Sequence, residues 1–281
     1  MKRLPSQFSK YGDFEAERGQ ALVKLSKSNG KTVVNQLRTH APLLVQRALY
    51  PEYNLPGFAH VYLMSSAGGI LQGDRMEIDI DAGENTAARI TTQAATKIYR
   101  MDRGFATQSV TVTAGAGSYL EVLPHQLIPF KSSRFYQDVS VRVAPDATVL
   151  LSEIVCAGRT AAGENFEFEI CHLRMNTCDL KGQVLFSDVC SMEPEKMHFD
   201  LLFGGKTIWS TIYVITARDR AGIEGEITKA IESGGILAGC SKLPHDCGLF
   251  VRILDDSIDR VMELGRTVVN ISRKYALLGR S

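Results

Sequence analysis

Hydrophobic and polar residues alternate along much of the first two hundred positions. In "RMEIDID" (75–81), Met76, Ile78 and Ile80 are separated by Glu77, Asp79 and Asp81. That is the two-residue period of a strand with one buried and one solvated face. The same period returns with Val110 and Val112, with Val139, Val141 and Val143, and with Phe166, Phe168 and Ile170. The first three of these strands run into turns of small or polar residues: Ala82-Gly83-Glu84-Asn85, Ala114-Gly115-Ala116-Gly117 and Ala144-Pro145-Asp146-Ala147. Each turn leads into another strand-like run, and the turns begin 32 and then 30 residues apart. A strand–turn–strand unit repeated at that period predicts stacked coils or layered sheets. The units match by residue type more than by identity, so a plain antiparallel sandwich stays open beside it.

Past residue 215 the period lengthens. Ile223, Ile227 and Ile231 recur at four-residue steps before Gly234-Gly235, which predicts a helix weakened by Gly222 and Gly225. A second helix is predicted where Ile258, Val261, Met262, Val268 and Val269 share one face. Asp255, Asp256 or Ser257 suits its start, and Arg273-Lys274 its C-terminal end. Between the helices, "ILAGC" and "GLFVRIL" predict two short strands. The expected class is therefore mainly β, with stacked, β-helix-like mixed sheets and two C-terminal helices. No linker rich in Pro, Gly or Ser interrupts the chain, so residues 1–281 are read as one domain, β-rich over 1–215 and α/β over 216–281.

Composition narrows the partners. A net charge of +1 without a run of five like charges argues against nucleic acid. No segment approaches eighteen uninterrupted apolar residues, which argues against a membrane span. The Lys2-Arg3 pair is not followed by the apolar stretch of a secretory signal. The six cysteines show no C-x-x-C spacing and read as reduced thiols. These features together predict a cytoplasmic location.

Familiar chemistry finds little purchase. "GGILQGD" (68–74) has the glycines of a phosphate loop, but a strand follows instead of a helix, and Asp74 would repel phosphate. It reads as a turn. Cys240, His245 and Cys247 offer zinc-type ligands, yet C-x4-H-x-C lacks a fourth ligand and a standard spacing; a loop between two strands is the simpler reading. There is no G-x-S-x-G. A β-solenoid carbohydrate-active enzyme would need paired carboxylates and usually an aromatic face, and Trp209 is the single tryptophan. What stands out is polarity where a core is expected. Glu153 interrupts "VLLSEIVCAG", Glu164 follows Gly163, Asp74 ends a turn, and Thr91-Thr92-Gln93 occupy a strand-like run. Buried polar groups must find partners or water, so this pattern predicts a wet passage inside the fold.

The same segments carry a resemblance. "GKTVVNQLRTHAPLLVQRALYPE" (30–52), "AHVYLMSSAGGILQGD" (59–74), "ITTQAATKIYR" (90–100), "LEVLPHQLIPFKSSRFYQ" (120–137) and "SEIVCAGRTAAGENFEF" (152–168) resemble the UreD/UreH family of urease accessory proteins. The resemblance implies a non-enzymatic scaffold that binds UreF and, through it, the GTPase UreG. That assembly docks on the urease apoprotein and helps to place two nickel ions, with carbon dioxide forming a carbamylated lysine. It implies stacked β-strands with a few helices, a hetero-oligomer arranged as a dimer of heterodimers with UreF, and a water-filled tunnel lined by polar and acidic side chains. Carried over by motif, Asp74, Glu153 and Glu164, with His125 of "LPHQ", become the expected lining of a nickel route. Nickel would be transient, with no tightly bound cofactor. Cys240, His245 and Cys247 match no family motif. The chain also departs from the Pro-Arg-x-Trp-like tail of many members, ending in "ALLGRS". An adaptor with no metal path is the alternative within the same class of function.

Overall fold

The computed structural model describes residues 4–278; Lys2-Arg3 and the tail at 279–281 lie outside the described residues. The chain opens with a short 3-10 helix at Ser6–Tyr11 and then strands β1 (Arg18–Ser28), β2 (Lys31–His40), β3 (Leu43–Val45) and β4 (Ala59–Ser65). One coil supplies β5 (Arg75–Ala82), β6 (Ala87–Thr92) and β7 (Thr96–Ile98). The next supplies β8 (Ala106–Ala114), β9 (Tyr119–Val122) and β10 (Leu127–Pro129), and a third gives β11 (Arg134–Val143) and β12 (Thr148–Cys156). The hairpin β13 (Ile170–Asp179) and β14 (Val184–Met192) leads through helix α1 (Phe199–Phe203) into β15 (Ile208–Ile215). Helix α2 (Arg220–Gly234), β16 (Leu237–Lys242), β17 (Gly248–Asp255) and helix α3 (Ile258–Arg273) follow.

Two sheets face each other. Sheet A has the order β14-β13-β11-β8-β5-β1-β2, and sheet B runs β16-β17-β15-β12-β9-β6-β4-β3, with β7 and β10 beside it. Successive coils lie in parallel register, which stacks like on like. Val23, Ile80, Val112 and Val141 form one ladder in sheet A. Val61, Ile90, Val122 and Leu151 form the matching ladder in sheet B. All eight point into the core between the sheets, and burying such a side chain contributes about 1.5–3 kcal/mol. The repeated turns close alike: Thr86 N–H donates to Gly83 O, Ser118 N–H to Gly115 O, and Ala147 N–H to Ala144 O. The stacked coils expected from the 32- and 30-residue steps are thus present, and antiparallel strands occur only at the flanks of the parallel stack.

Helices α2 and α3 cover the outer face of sheet B. They bury Ile223 and Ile227 from α2, and Val261, Leu264, Val268 and Val269 from α3. Asp219 caps α2 by accepting the Gly222 N–H at 3.0 Å. No helix among the described residues is long and apolar enough to cross a membrane.

One expected strand is absent. Residues 165–169 do not form one; Phe166 has φ +54°, and β13 begins only at Ile170. The phenyl rings follow a different demand: Phe166 stacks on Phe199 at 4.1 Å, and Phe199 stacks on Phe203 at 5.2 Å. Aromatic packing against α1 takes precedence over the alternation.

Candidate polar interior

The stack of sheet B is interrupted at one place. Strand β12 registers with β9 as far as Leu151 and with β10 only at Val155, so the ladder is broken opposite residues 152–154. Residues 123–126 cross this break between β9 and β10. A cavity of about 300 Å³ lies inside it, between the sheets. Its walls are apolar at Ile78, Ile80, Val110 and Val122, and polar at Gln108, Gln137, His125 and Glu153. A second cavity, of about 410 Å³, lies outside the break beneath α3. Pro124, His125, Ser152 and Ile154 line both.

The polar wall follows from register. Gln108 and Gln137 are paired across β8 and β11, in the inward phase that Val110 and Val139 continue. Gln108 Nε2 donates to Gln137 Oε1 at 3.0 Å, and Gln137 Nε2 donates to Glu153 Oε1 at 2.9 Å. Glu153 is 7% exposed. Burial pushes its carboxyl up to about 7; the charge of Asp188 adds to this, while the Gln137 bond and Arg252 oppose it. Asp188 belongs to a group nearer the surface, where Tyr213 Oη donates to it at 2.9 Å and Arg252 Nη2 at 2.6 Å. Burial, with Glu153 next, pushes the Tyr213 phenol far up. Hydrogen bonds link Gln108, Gln137 and Glu153, and Glu153 lies within electrostatic reach of the half-exposed Asp188–Arg252 pair.

The four residues expected on a nickel route are divided. Glu153 and His125 line the inner cavity together. His125 is half-buried, and its backbone N–H donates to Thr92 Oγ1 at 2.9 Å. Asp74 is 2% exposed but lines neither cavity. Its Oδ2 accepts the Leu71 N–H at 2.8 Å and closes the 71–74 turn, its Oδ1 is left without a hydrogen bond among the described residues, and burial raises its carboxyl. Gly73, at φ +80°, makes this turn possible. The loop is the turn that the sequence predicts. Glu164 also lies away from both cavities. Both of its oxygens are held by Arg159, it accepts the Lys131 N–H at 3.2 Å, and the guanidinium keeps its carboxyl below the ordinary range. Thr91 and Thr92 are half-buried and Gln93 is exposed, so this run is cavity rim rather than enclosed core.

Cys240 packs with the helix-side core and Cys247 with the core between the sheets, so the two thiols serve different clusters. His245 sits in the Pro244–Asp246 turn between β16 and β17. Among the described residues no three His, Cys, Asp or Glu side chains converge to hold a metal ion.

A second polar cluster went unpredicted. Glu121 in β9 is fully buried. It accepts from Arg89 Nε at 2.6 Å, Arg273 Nε at 2.6 Å and Tyr119 Oη at 3.0 Å. Arg273 Nη1 also donates to Glu52 Oε1 at 3.0 Å, and His60 Nε2 lies 3.2 Å from the same oxygen. Burial and the Arg89 charge hold His60 below its ordinary range. Glu121 inside "YLEV" gives the same signal as Glu153 in its apolar run, a lone acid among core residues. Gln108 and Gln137 were legible too, as the next inward positions before Val110 and Val139.

Comparison with known proteins shows which family the chain resembles. The UreD urease accessory protein family matches residues 17–281. The urease accessory protein UreD of Cenarchaeum symbiosum (strain A) is 36% identical over 245 residues, covering 86% of each chain. Urease accessory protein UreD 2 of Streptomyces griseus subsp. griseus is 38% identical, covering 83% of this chain and 81% of the relative. UreD 2 of Brucella canis is 39% identical, covering 80% and 76%.

Proposed function

Because the chain belongs to the UreD family of urease accessory proteins, we propose that it acts in urease maturation as a cytoplasmic metallochaperone scaffold. In this reading it joins UreF and the GTPase UreG, engages the urease apoprotein, and assists nickel incorporation. The family match over residues 17–281 is the observation that carries it. All six cysteines are unpaired, as suits a reducing compartment.

The inner cavity is the proposed route for the ion, with nickel as cargo. Nickel accepts carboxylate, imidazole and water, and softer or more numerous nitrogen and sulfur ligands hold it more tightly. Glu153 and His125, with the amides of Gln108 and Gln137, make a sparse oxygen-and-nitrogen lining. Such a set favours a hydrated ion that is bound weakly and passed on. A micromolar station, worth about −8 kcal/mol, still exchanges quickly. Asp74 and Glu164 remain proposed contributors only where the passage extends beyond the inner cavity.

The test is urease activation with the chain deleted, restored, or restored as Glu153→Ala. Deletion should leave urease poor in nickel. Normal nickel content without the chain would overturn the reading. Glu153→Ala should still assemble with UreF but activate less; full activation would leave an adaptor with no metal path.

A further inference from the structure

We propose that the outer cavity, between sheet B and α3, binds a small oxyanion such as phosphate or a free carboxylate. Its lining contains two arginines, Arg89 and Arg266, two histidines, His60 and His125, and no aspartate or glutamate among the described residues. Arg89 is anchored: its Nε is held at 2.6 Å by the buried Glu121, and its terminal nitrogens make no hydrogen bond among the described residues. An arginine fixed through one edge presents the other to a ligand with little further loss of freedom. Arg266 projects from α3 and has no ion pair among the described residues; Glu263, three positions earlier on the same exposed side, does not engage it.

The surrounding charges are already matched elsewhere. Glu121 is shared by Arg89 and Arg273, and Glu52 by Arg273 and His60. Three guanidiniums, of Arg89, Arg266 and Arg273, stand against the two carboxylates of Glu52 and Glu121. One positive charge is in excess before either histidine is protonated. Neutral donors complete the set. Ser210 is 1% exposed and lines the cavity, and its hydroxyl makes no hydrogen bond among the described residues. Tyr62 also reaches the wall. Apolar Ile154, Ile212 and Val261 close the remainder, and low-polarity walls strengthen charge-assisted bonds. The volume of about 410 Å³ lies within the range of small-ligand sites. This chemistry repels a dication, so the outer cavity has a role separate from the proposed nickel route and does not depend on it.

The experiment titrates the full chain, without nickel, with sodium phosphate and separately with sodium acetate, replacing chloride at constant ionic strength. Binding is read by calorimetry and by histidine ring resonances. Saturable one-site binding is expected, weakened about tenfold or more in Arg266→Gln. Arg89→Lys, which keeps the charge but loses the fork, should also weaken it. Arg38→Gln, at an exposed arginine on β2, serves as the control and should leave affinity unchanged. Saturation by either anion with this pattern supports the site. Absence of saturable binding for both anions, or affinity unchanged in both Arg266→Gln and Arg89→Lys, overturns it.

Discussion

Replacing Glu153 with glutamine should stabilise the protein above neutral pH and leave it nearly unchanged in mild acid. The carboxyl is buried and pushed up to about 7 from an ordinary 4.5. Between those values the folded chain holds a proton that the unfolded chain has released. Stability therefore falls as pH rises through the window, and the whole penalty is present above it. At 1.36 kcal/mol per pH unit, the ionised side chain costs about 3 kcal/mol at pH 8. Glutamine keeps the volume and an oxygen for the Gln137 Nε2 donor, 2.9 Å away in the wild type, but carries no charge. Urea unfolding, followed by circular dichroism and by fluorescence of the buried Trp209, should place Glu153→Gln within about 1 kcal/mol of wild type at pH 5 and about 3 kcal/mol above it at pH 8. An equal difference at both values, or a less stable variant at pH 8, would refute the assignment of burial as the dominant effect.

Two further substitutions probe the frame around the cavities. Arg273→Met leaves the fully buried Glu121 with Arg89 and Tyr119 alone, and should cost about 3–5 kcal/mol in urea unfolding. Adding Glu121→Gln should recover at least about 1.5 kcal/mol through coupling; a cost under about 1 kcal/mol for the single change would contradict the network. Gly73→Ala places a Cβ 2.8 Å from Phe14 O and 2.9 Å from Ala16 N at φ +80°, so a loss of about 3 kcal/mol is expected. Gly235→Ala, in the left-handed helical region at φ +57° and ψ +31° with nothing within 4 Å, should lose only about 1 kcal/mol. Equal melting losses for the two would show that backbone conformation, and not the close approach of Phe14 and Ala16, sets the cost.

The parallel stack was legible because its units repeat the physics as well as the spacing. Val110 and Val112 alternate with polar residues as Ile78 and Ile80 do, and a turn of the same length ends each run. The Phe166–Ile170 alternation carried the same signal and meant something else. Positive φ at Phe166 and its stacking on Phe199 arise from α1, more than thirty residues later, which local periodicity does not sense. Arg273 shows the same limit. Its position at a helix end suggested an exposed charge near the last carbonyls, whereas its guanidinium turns inward to Glu121, 152 positions away. Lone acids in apolar strands were the readable part of the polar interior, and their partners were the unreadable part. Glu153 was found by that rule and Glu121 missed, although both obey it. Asp74 and Glu164 were as conspicuous in sequence, but one serves to close a turn and the other to brace a loop.

The interruption in sheet B explains why both kinds of polarity gather where they do. An unbroken parallel ladder satisfies its backbone groups strand to strand and admits side chains only above and below. Opposite residues 152–154 the neighbour on one side is replaced by residues 123–126, which opens a gap that only polar side chains and water fill without leaving donors unmatched. The inner lining holds the carboxyl of Glu153, with the exposed Lys97 also on its wall; the outer lining holds the guanidiniums of Arg89 and Arg266 and no carboxylate among the described residues. A dication on the proposed route meets attraction inside and repulsion outside, while an anion meets the reverse. His125 and Ser152, shared by the two cavities, form an uncommitted partition between them. Opposed charge across one gap is the physical ground for assigning the proposed cation and the proposed anion to different sides of the break.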